Sequence, residues 1–224
     1  MDQGLMDLIR KEKIVAIIRG ISQADLVPVT EQLIEGGIRL IEITLDQKDP
    51  QAREVIAQSL DILRSRFSGR ANFGVGTVLS VQDAEAAIEA GAEYLISPDT
   101  NPAVIQRTKE LGVLSIPGAL TPSEITAAYR AGADMVKLFP ASQMGPAYIK
   151  AVRGPLGHIP LMATGGITAE NMADYLAAGC AGAGIGGNLV NAARIAAGDY
   201  AFIAHEARKY KKALEAFLQE KKEA

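Results

Sequence analysis

The amino-acid sequence predicts a (β/α)8 barrel of the TIM type, a single α/β domain spanning residues 1–224. Three observations predict it. Eight short β-branched or apolar runs alternate with longer segments whose apolar residues recur at three- and four-residue spacing. A glycine stands just ahead of the second to eighth runs, at Gly37, Gly69, Gly91, Gly112, Gly132, Gly157 and Gly179. The phrases "EAGAEYLIS", "RAGADMVKL" and "AAGCAGAGI" are near-copies. Glycine after a helix accepts the left-handed backbone that ends it, so each phrase reads as helix end, tight turn and next strand. Eight such units in 224 residues match one closed barrel. The alternative is an open doubly wound sheet, but no G-x-G-x-x-G opens the first helix.

The elements follow in order. The first strand is "IVAIIRG" (14–20), and Pro28 in the segment after it leaves the start of that helix open. "RLIEITL" (39–45) precedes the helical stretch "DPQAREVIAQSLDILRSRF". "NFGVGTV" (72–78) is followed by Ser80, a helix-capping residue. "YLISP" (94–98) and "LSIPGA" (114–119) come next, the latter followed by the capping residue Thr121. "MVKLFP" (135–140), "LMATGG" (161–166) and "GAGIGG" (182–187) complete the set, with Thr168 expected to cap the helix of "TAENMADYLAAGC". The tail "HEARKYKKALEAFLQEKKEA" reads as a final amphipathic helix with a solvated, charged end.

Composition narrows the function. The chain is 48% hydrophobic with a net charge of −3, both signs interspersed, which argues against nucleic acid or an anionic membrane as partner. The longest clean apolar run, "IVAII", is too short to span a bilayer, and the first residues lack the apolar stretch of a signal peptide. Cys180 is the only cysteine, which suits a cytoplasmic location and a small core residue. His158 and His205 are the only histidines and read as structural or surface residues. A His-rich metal site is nearly excluded, and no metal or cofactor is expected.

The chemistry should sit at the C-terminal ends of the strands. Arg19, Glu42, Thr44, Thr77, Lys137 and Thr164 lie near those ends. If Glu42 and Lys137 point to the barrel axis, so do Thr44 and Phe139, while Ile41, Ile43, Val136 and Leu138 face the helices. A lysine inside "MVKLFP" would be buried, and a buried ammonium is costly. Burial and a nearby Arg19 would favour the free amine, which can attack a ketone and form a Schiff base. Glu42 would move protons. A buried ion pair that merely holds the barrel is the structural alternative. In "ATGGITAEN" (163–171) and "GAGIGGNL" (182–189), glycines after the seventh and eighth strands let backbone N–H groups approach an anion. A helix N-terminus should add its dipole there, at the common phosphate position of such barrels.

These motifs resemble one family. "IVAIIRG", "IEITL", "GVGTVLS", "ISP", "IPGALTPSE", "VKLFPAS" and "TGGIT" are similar to those of the class I aldolases for 2-keto-3-deoxy-6-phosphogluconate (KDPG) and 4-hydroxy-2-oxoglutarate (KHG), from about residue 8 to residue 210. The resemblance implies a homotrimeric barrel that cleaves a 2-keto-3-deoxy sugar acid phosphate to pyruvate and an aldehyde. It implies Lys137 as the Schiff-base lysine and Glu42 as the acid/base. It places Arg19, Thr77, Pro98 and Phe139 around pyruvate, and Gly165, Gly166, Gly186, Gly187 and Asn188 around phosphate. Thr164 would meet the C4 hydroxyl, favouring the gluconate over the galactonate configuration. Three positions depart from the gluconate pattern: Asp46 replaces an arginine, Asp99 a glycine and Asn188 a serine. Asp46 is expected to turn away from the pocket, leaving Thr77 and backbone N–H groups at the pyruvate end. An isomerase or epimerase without a covalent step, and a non-catalytic sugar-phosphate-binding barrel, are the other readings.

Overall fold

A computed structural model describes residues 3–223. Nine parallel strands form one sheet: β1 (Ile14–Ile18), β2 (Leu40–Thr44), β3 (Asn72–Gly76), β4 (Tyr94–Ile96), β5 (Leu114–Ile116), β6 (Gly118–Ala119), β7 (Val136–Leu138), β8 (Leu161–Thr164) and β9 (Gly182–Ile185). The order is β5-β4-β3-β2-β1-β9-β8-β7-β6. β5 and β6 are the fifth expected strand, broken at Pro117. The first half pairs with β4 and the second with β7. Proline has no N–H to continue a ladder. Its carbonyl still accepts from Lys137 N at 2.8 Å, and Ser115 O accepts from Asp134 N at 3.0 Å. The broken strand is thus bridged on both flanks and closes the barrel. The doubly wound alternative does not form.

The helices are α1 (Gln3–Glu12), α2 (Leu26–Glu35), α3 (Ala52–Phe67), α4 (Val81–Glu89), α5 (Pro102–Glu110), α6 (Pro122–Arg130), α7 (Gly145–Leu156), α8 (Met172–Ala177), α9 (Ala192–Ala196) and α10 (Ala201–Glu223). Pro28 falls in the first turn of α2, where a missing N–H costs nothing. Ser80 and Thr121 each close a capping box, with Asp83 and Glu124. Thr168 behaves otherwise. It exchanges hydrogen bonds with Asn171 across a turn, and α8 starts only after Asn171. Six of the seven inter-element glycines have positive φ, but Gly157 is right-handed at φ −58° because the Pro155-containing end of α7 runs straight into a turn.

Helix α1 lies outside the elements that the repeat predicts. It plugs the N-terminal mouth of the barrel. Leu5, Met6 and Ile9 join a cluster with the strand residues Val15, Leu40, Tyr94, Leu114, Ile116 and Met162 and with Met135, just before β7. The outward strand residues Ile41, Ile43, Val136 and Leu138 pack with the helices in a second, larger cluster. The lower half of the barrel is therefore a filled, largely apolar core, in which the Tyr94 hydroxyl is a buried polar group, and the charged groups begin above it.

Two glycines make that transition possible. A side chain at Gly74 would meet the Tyr94 ring at 2.2 Å, and one at Gly76 would meet Glu42 Oε1 at 1.7 Å. Glycine inside a strand marks a close approach. Here it admits first an aromatic ring and then a carboxylate to the barrel axis.

Candidate active site

Glu42, on β2, is fully buried, and neither carboxylate oxygen accepts a hydrogen bond among the described residues. Burial raises its carboxyl above the usual range, against the opposing effect of the Lys137 and Arg19 cations. Lys137, on β7, is 3% exposed and makes no ion pair among the described residues. Burial lowers its ammonium, Glu42 opposes that, and Arg19 adds to it. The two groups feel each other's charge without touching. Burial thus acts against the charged form of each, and the attraction between them acts the other way. The Lys137 ammonium position lies 5.2 Å from the centroid of the Phe139 ring.

Thr164 ends β8 and is 3% exposed, with its hydroxyl unpartnered among the described residues. The lack of a side chain at Gly184 makes room for it: a Cβ there would stand 2.6 Å from Thr164 Oγ1. Lys137, Phe139, Thr164, Arg19, Gly165, Gly166, Gly186, Gly187 and Asn188 line one cavity of about 280 Å³. Glu42 lies beneath this cavity and does not reach its wall.

The glycine loops have their carbonyls occupied. Gly165 and Gly166 have φ +96° and +73°. Gly165 O accepts from Ser142 N at 3.1 Å, Gly166 O from Asn171 Nδ2 at 3.1 Å, and Gly186 O from the N–H groups of Leu189 and Val190. In a trans peptide the next N–H points opposite to its carbonyl, so the amides of Gly166, Ile167 and Gly187 turn away from these partners. Amides left free of such partners are the groups from which anion nests are built. Asn188 donates to Ile167 O at 2.9 Å and so ties the two loops together. The helices behind the loops, α8 and α9, hold only six and five residues, so the expected dipole is weaker than the amides themselves.

Arg19 stands at the end of β1 and donates to Thr77 Oγ1 at 3.2 Å. Thr77 has φ +61°. A β-branched residue there stores about 1–3 kcal/mol of strain. Thr77 and Arg19 line a second, larger cavity of about 460 Å³ with Asp46 and Gln47. Asp46 Oδ1 accepts from Lys48 N at 3.0 Å. Its carboxylate folds onto its own turn yet stays on that cavity wall. Pro98 packs over Gly118, where a Cβ would come within 2.3 Å of its carbonyl group. Asp99 is exposed, and its backbone carbonyl accepts from Gly118 N and Ser97 Oγ.

The family model described as "KDPG and KHG aldolase" matches residues 5–205. The chain belongs to this family. It is a carbon–carbon lyase of the aldolase type. The 2-dehydro-3-deoxy-6-phosphogalactonate aldolase of Escherichia coli K12 is 36% identical over 81% of this chain and 86% of that one. The 2-dehydro-3-deoxy-phosphogluconate aldolase of Treponema pallidum is 34% identical over 88% and 90%. A KDPG aldolase structure from Legionella pneumophila, described as holding pyruvate as a covalent carbinolamine, superposes with a TM-score of 0.81 at 25% identity, over 91% of this chain and 96% of that one.

For this aldolase the remaining candidates are bystanders. His158 is exposed and packs edge-on against Tyr129, and His205 is exposed on α10. Cys180 is buried, and burial pushes its thiol up to about 12, away from the reactive thiolate. Among the described residues no three His, Cys, Asp or Glu side chains converge as a metal-ligand group, and no helix is long and apolar enough to cross a membrane. Sequence reasoning missed Gly74, Gly76 and Gly184 as clearance for Tyr94, Glu42 and Thr164. The signal was present: glycines inside strand runs have no turn to make.

Proposed function

We propose that the chain cleaves 2-keto-3-deoxy-6-phosphogluconate to pyruvate and glyceraldehyde 3-phosphate through a Schiff base on Lys137. The observation that carries this reading is the buried Lys137, without an ion-pair partner among the described residues, on the wall of a cavity that the glycine loops also line. A purely structural lysine would be matched to a carboxylate. The Lys137 amine attacks the C2 ketone and water leaves, giving an iminium. A base takes the C4 hydroxyl proton, the C3–C4 electron pair moves into the iminium, and the aldehyde departs. The enamine is protonated at C3, and water then releases pyruvate and the free lysine. We assign these proton transfers to Glu42, the buried carboxyl whose charge Lys137 senses and which burial raises above the usual range. The amides of Gly166, Ile167 and Gly187 receive the 6-phosphate, and Arg19, Thr77, Pro98 and Phe139 surround the pyruvate end.

The substrate configuration rests on Thr164. Its buried, unpartnered hydroxyl can bond a C4 hydroxyl in one configuration, and a polar group left unpaired by the other discriminates strongly. We assign the gluconate series on this ground, with 4-hydroxy-2-oxoglutarate as a secondary substrate and the three-subunit assembly that the family resemblance implies. Pyruvate release should be measured on both C4 epimers, on their non-phosphorylated forms and on 4-hydroxy-2-oxoglutarate. The gluconate epimer should have the highest kcat/KM, and loss of the phosphate should raise KM. Preference for the galactonate epimer would overturn the Thr164 assignment. Equal rates without phosphate would remove the phosphate role of the glycine loops.

A further inference from the structure

Thr77 raises a physical question. A threonine at φ +61° is strained, and its own hydroxyl contact with Arg19 is exposed and 3.2 Å long. Something must hold the backbone there. Gln47, in the loop between β2 and α3, donates from Nε2 to Thr77 O at 2.8 Å. The same amide nitrogen faces Asp83 Oδ2 at 3.4 Å. Asp83 is the most buried member of this chain of contacts. It accepts from Arg53 Nε at 2.8 Å and from Ser80 N at 3.2 Å, as part of the capping box of α4. Burial alone would raise its carboxyl, but hydrogen bonds from Arg53, Ser80 and Gln47 outweigh that and hold it below the usual range. Asp83 is therefore a fixed anion, and it fixes Gln47.

Asp46 completes the device. Its side chain accepts from Lys48 N and its carbonyl from Asp49 N, which folds the loop that carries Gln47. The contacts thus run Arg53 to Asp83 to Gln47 to Thr77 to Arg19, and they link the ends of β1, β2 and β3.

We propose that Gln47 is a positioning residue. It pins the strained Thr77 so that the Thr77 hydroxyl and Arg19 are presented together to the carboxylate end of the substrate. This rests on the proposed placement of Thr77 and Arg19 around pyruvate. Asp46 then has a purpose of its own, since it shapes the turn that delivers Gln47.

The test is a double-mutant cycle in the condensation direction, reading KM for pyruvate, kcat and Tm. Gln47→Ala should raise KM by about three- to tenfold, the worth of one modest hydrogen bond, with kcat within about twofold and Tm unchanged. Gln47→Met, which keeps the bulk and loses the donor, should match Gln47→Ala. In a Thr77→Ala background the Gln47 substitution should add nothing. A wild-type KM in Gln47→Met, beside a raised KM in Thr77→Ala, overturns the proposal and leaves the pyruvate reading standing. Fully additive effects, or a loss of kcat and Tm with KM unchanged, also overturn it. An unchanged KM in Thr77→Ala itself overturns the reading beneath it, and the proposal with it.

Discussion

Two lysines at opposite ends of the barrel show how differently one sequence treats the same charge. Lys109, near the N-terminal end, donates to both carboxylate oxygens of Asp134, at 2.6 and 2.8 Å, and to Val113 O at 3.3 Å. Asp134 in turn accepts from Ser115 N. Lys109 and Asp134 are thus matched to each other, and α1 seals that end with Leu5, Met6 and Ile9. Among the described residues Lys137, at the C-terminal end, has no carboxylate in contact, and the carboxylate it senses, Glu42, accepts no hydrogen bond. The lower lysine is spent on the fold. The upper one is left without a carboxylate in contact among the described residues, a cost that the filled apolar half beneath can bear.

The sharpest way to break this contrast is to remove each lysine. Lys137→Met should abolish turnover while the protein stays folded with Tm at or above wild type, because an unmatched buried amine is lost and most of its volume is kept. The sign follows from the lowered Lys137 ammonium: below its unfolded-state pKa that group costs the fold stability, and methionine removes the cost. Lys109→Met should do the opposite. It strands the largely buried Asp134 and should cost about 2–3 kcal/mol, with kcat within a few-fold of wild type. Thermal unfolding and steady-state rates on both variants decide this, and equal behaviour of the two would erase the contrast.

Glu42→Gln comes next. It keeps the shape and removes the proton acceptor, so cleavage should fall by about 10²–10⁴. A rate within a few-fold of wild type would assign the proton transfers elsewhere.

Two alanines sharpen the boundary between the halves. Gly76→Ala drives a methyl into Glu42 and should lower kcat by about 10² through displacement of the carboxylate. Gly74→Ala, two residues earlier, meets the Tyr94 ring instead. It should cost about 1–3 kcal/mol of stability with kcat nearly retained. Melting curves and kcat on the pair check whether the polar and apolar halves separate between these positions.

The smallest expected effect is electrostatic. Arg19 helps to lower the Lys137 ammonium, so Arg19→Gln should raise it and move the acid limb of iminium formation to higher pH. The shift should shrink with salt, since Arg19 is exposed. Trapping rates followed against pH at two ionic strengths give the sign.

These contrasts mark what was legible in the sequence. Strand alternation placed Glu42 and Lys137 on the axis and Ile41, Ile43, Val136 and Leu138 on the helices, because the two-residue period is rigid. The glycine repeat gave the barrel, because a helix end followed at once by a strand demands that residue. Helix α1 escaped because it stands outside the repeat and its apolar residues match no neighbour in sequence. The break at Pro117 escaped because a proline inside "LSIPGA" reads equally as a strand continued or interrupted. Thr168 misled because its hydroxyl serves a turn before the helix it was expected to cap. Gln47 and Asp83 could not be found from the sequence at all. Their contact joins a loop to the first turn of α4, 36 residues on, and only the closed barrel brings them together.

The central claim is that Lys137 is unmatched because it forms a covalent bond with substrate. Borohydride added with pyruvate, followed by peptide mass mapping, tests it most directly. The account predicts inactivation and a reduced pyruvate adduct on the peptide that carries Lys137, with Lys109 unmodified. An adduct on another lysine, or full activity with no adduct at all, would contradict it.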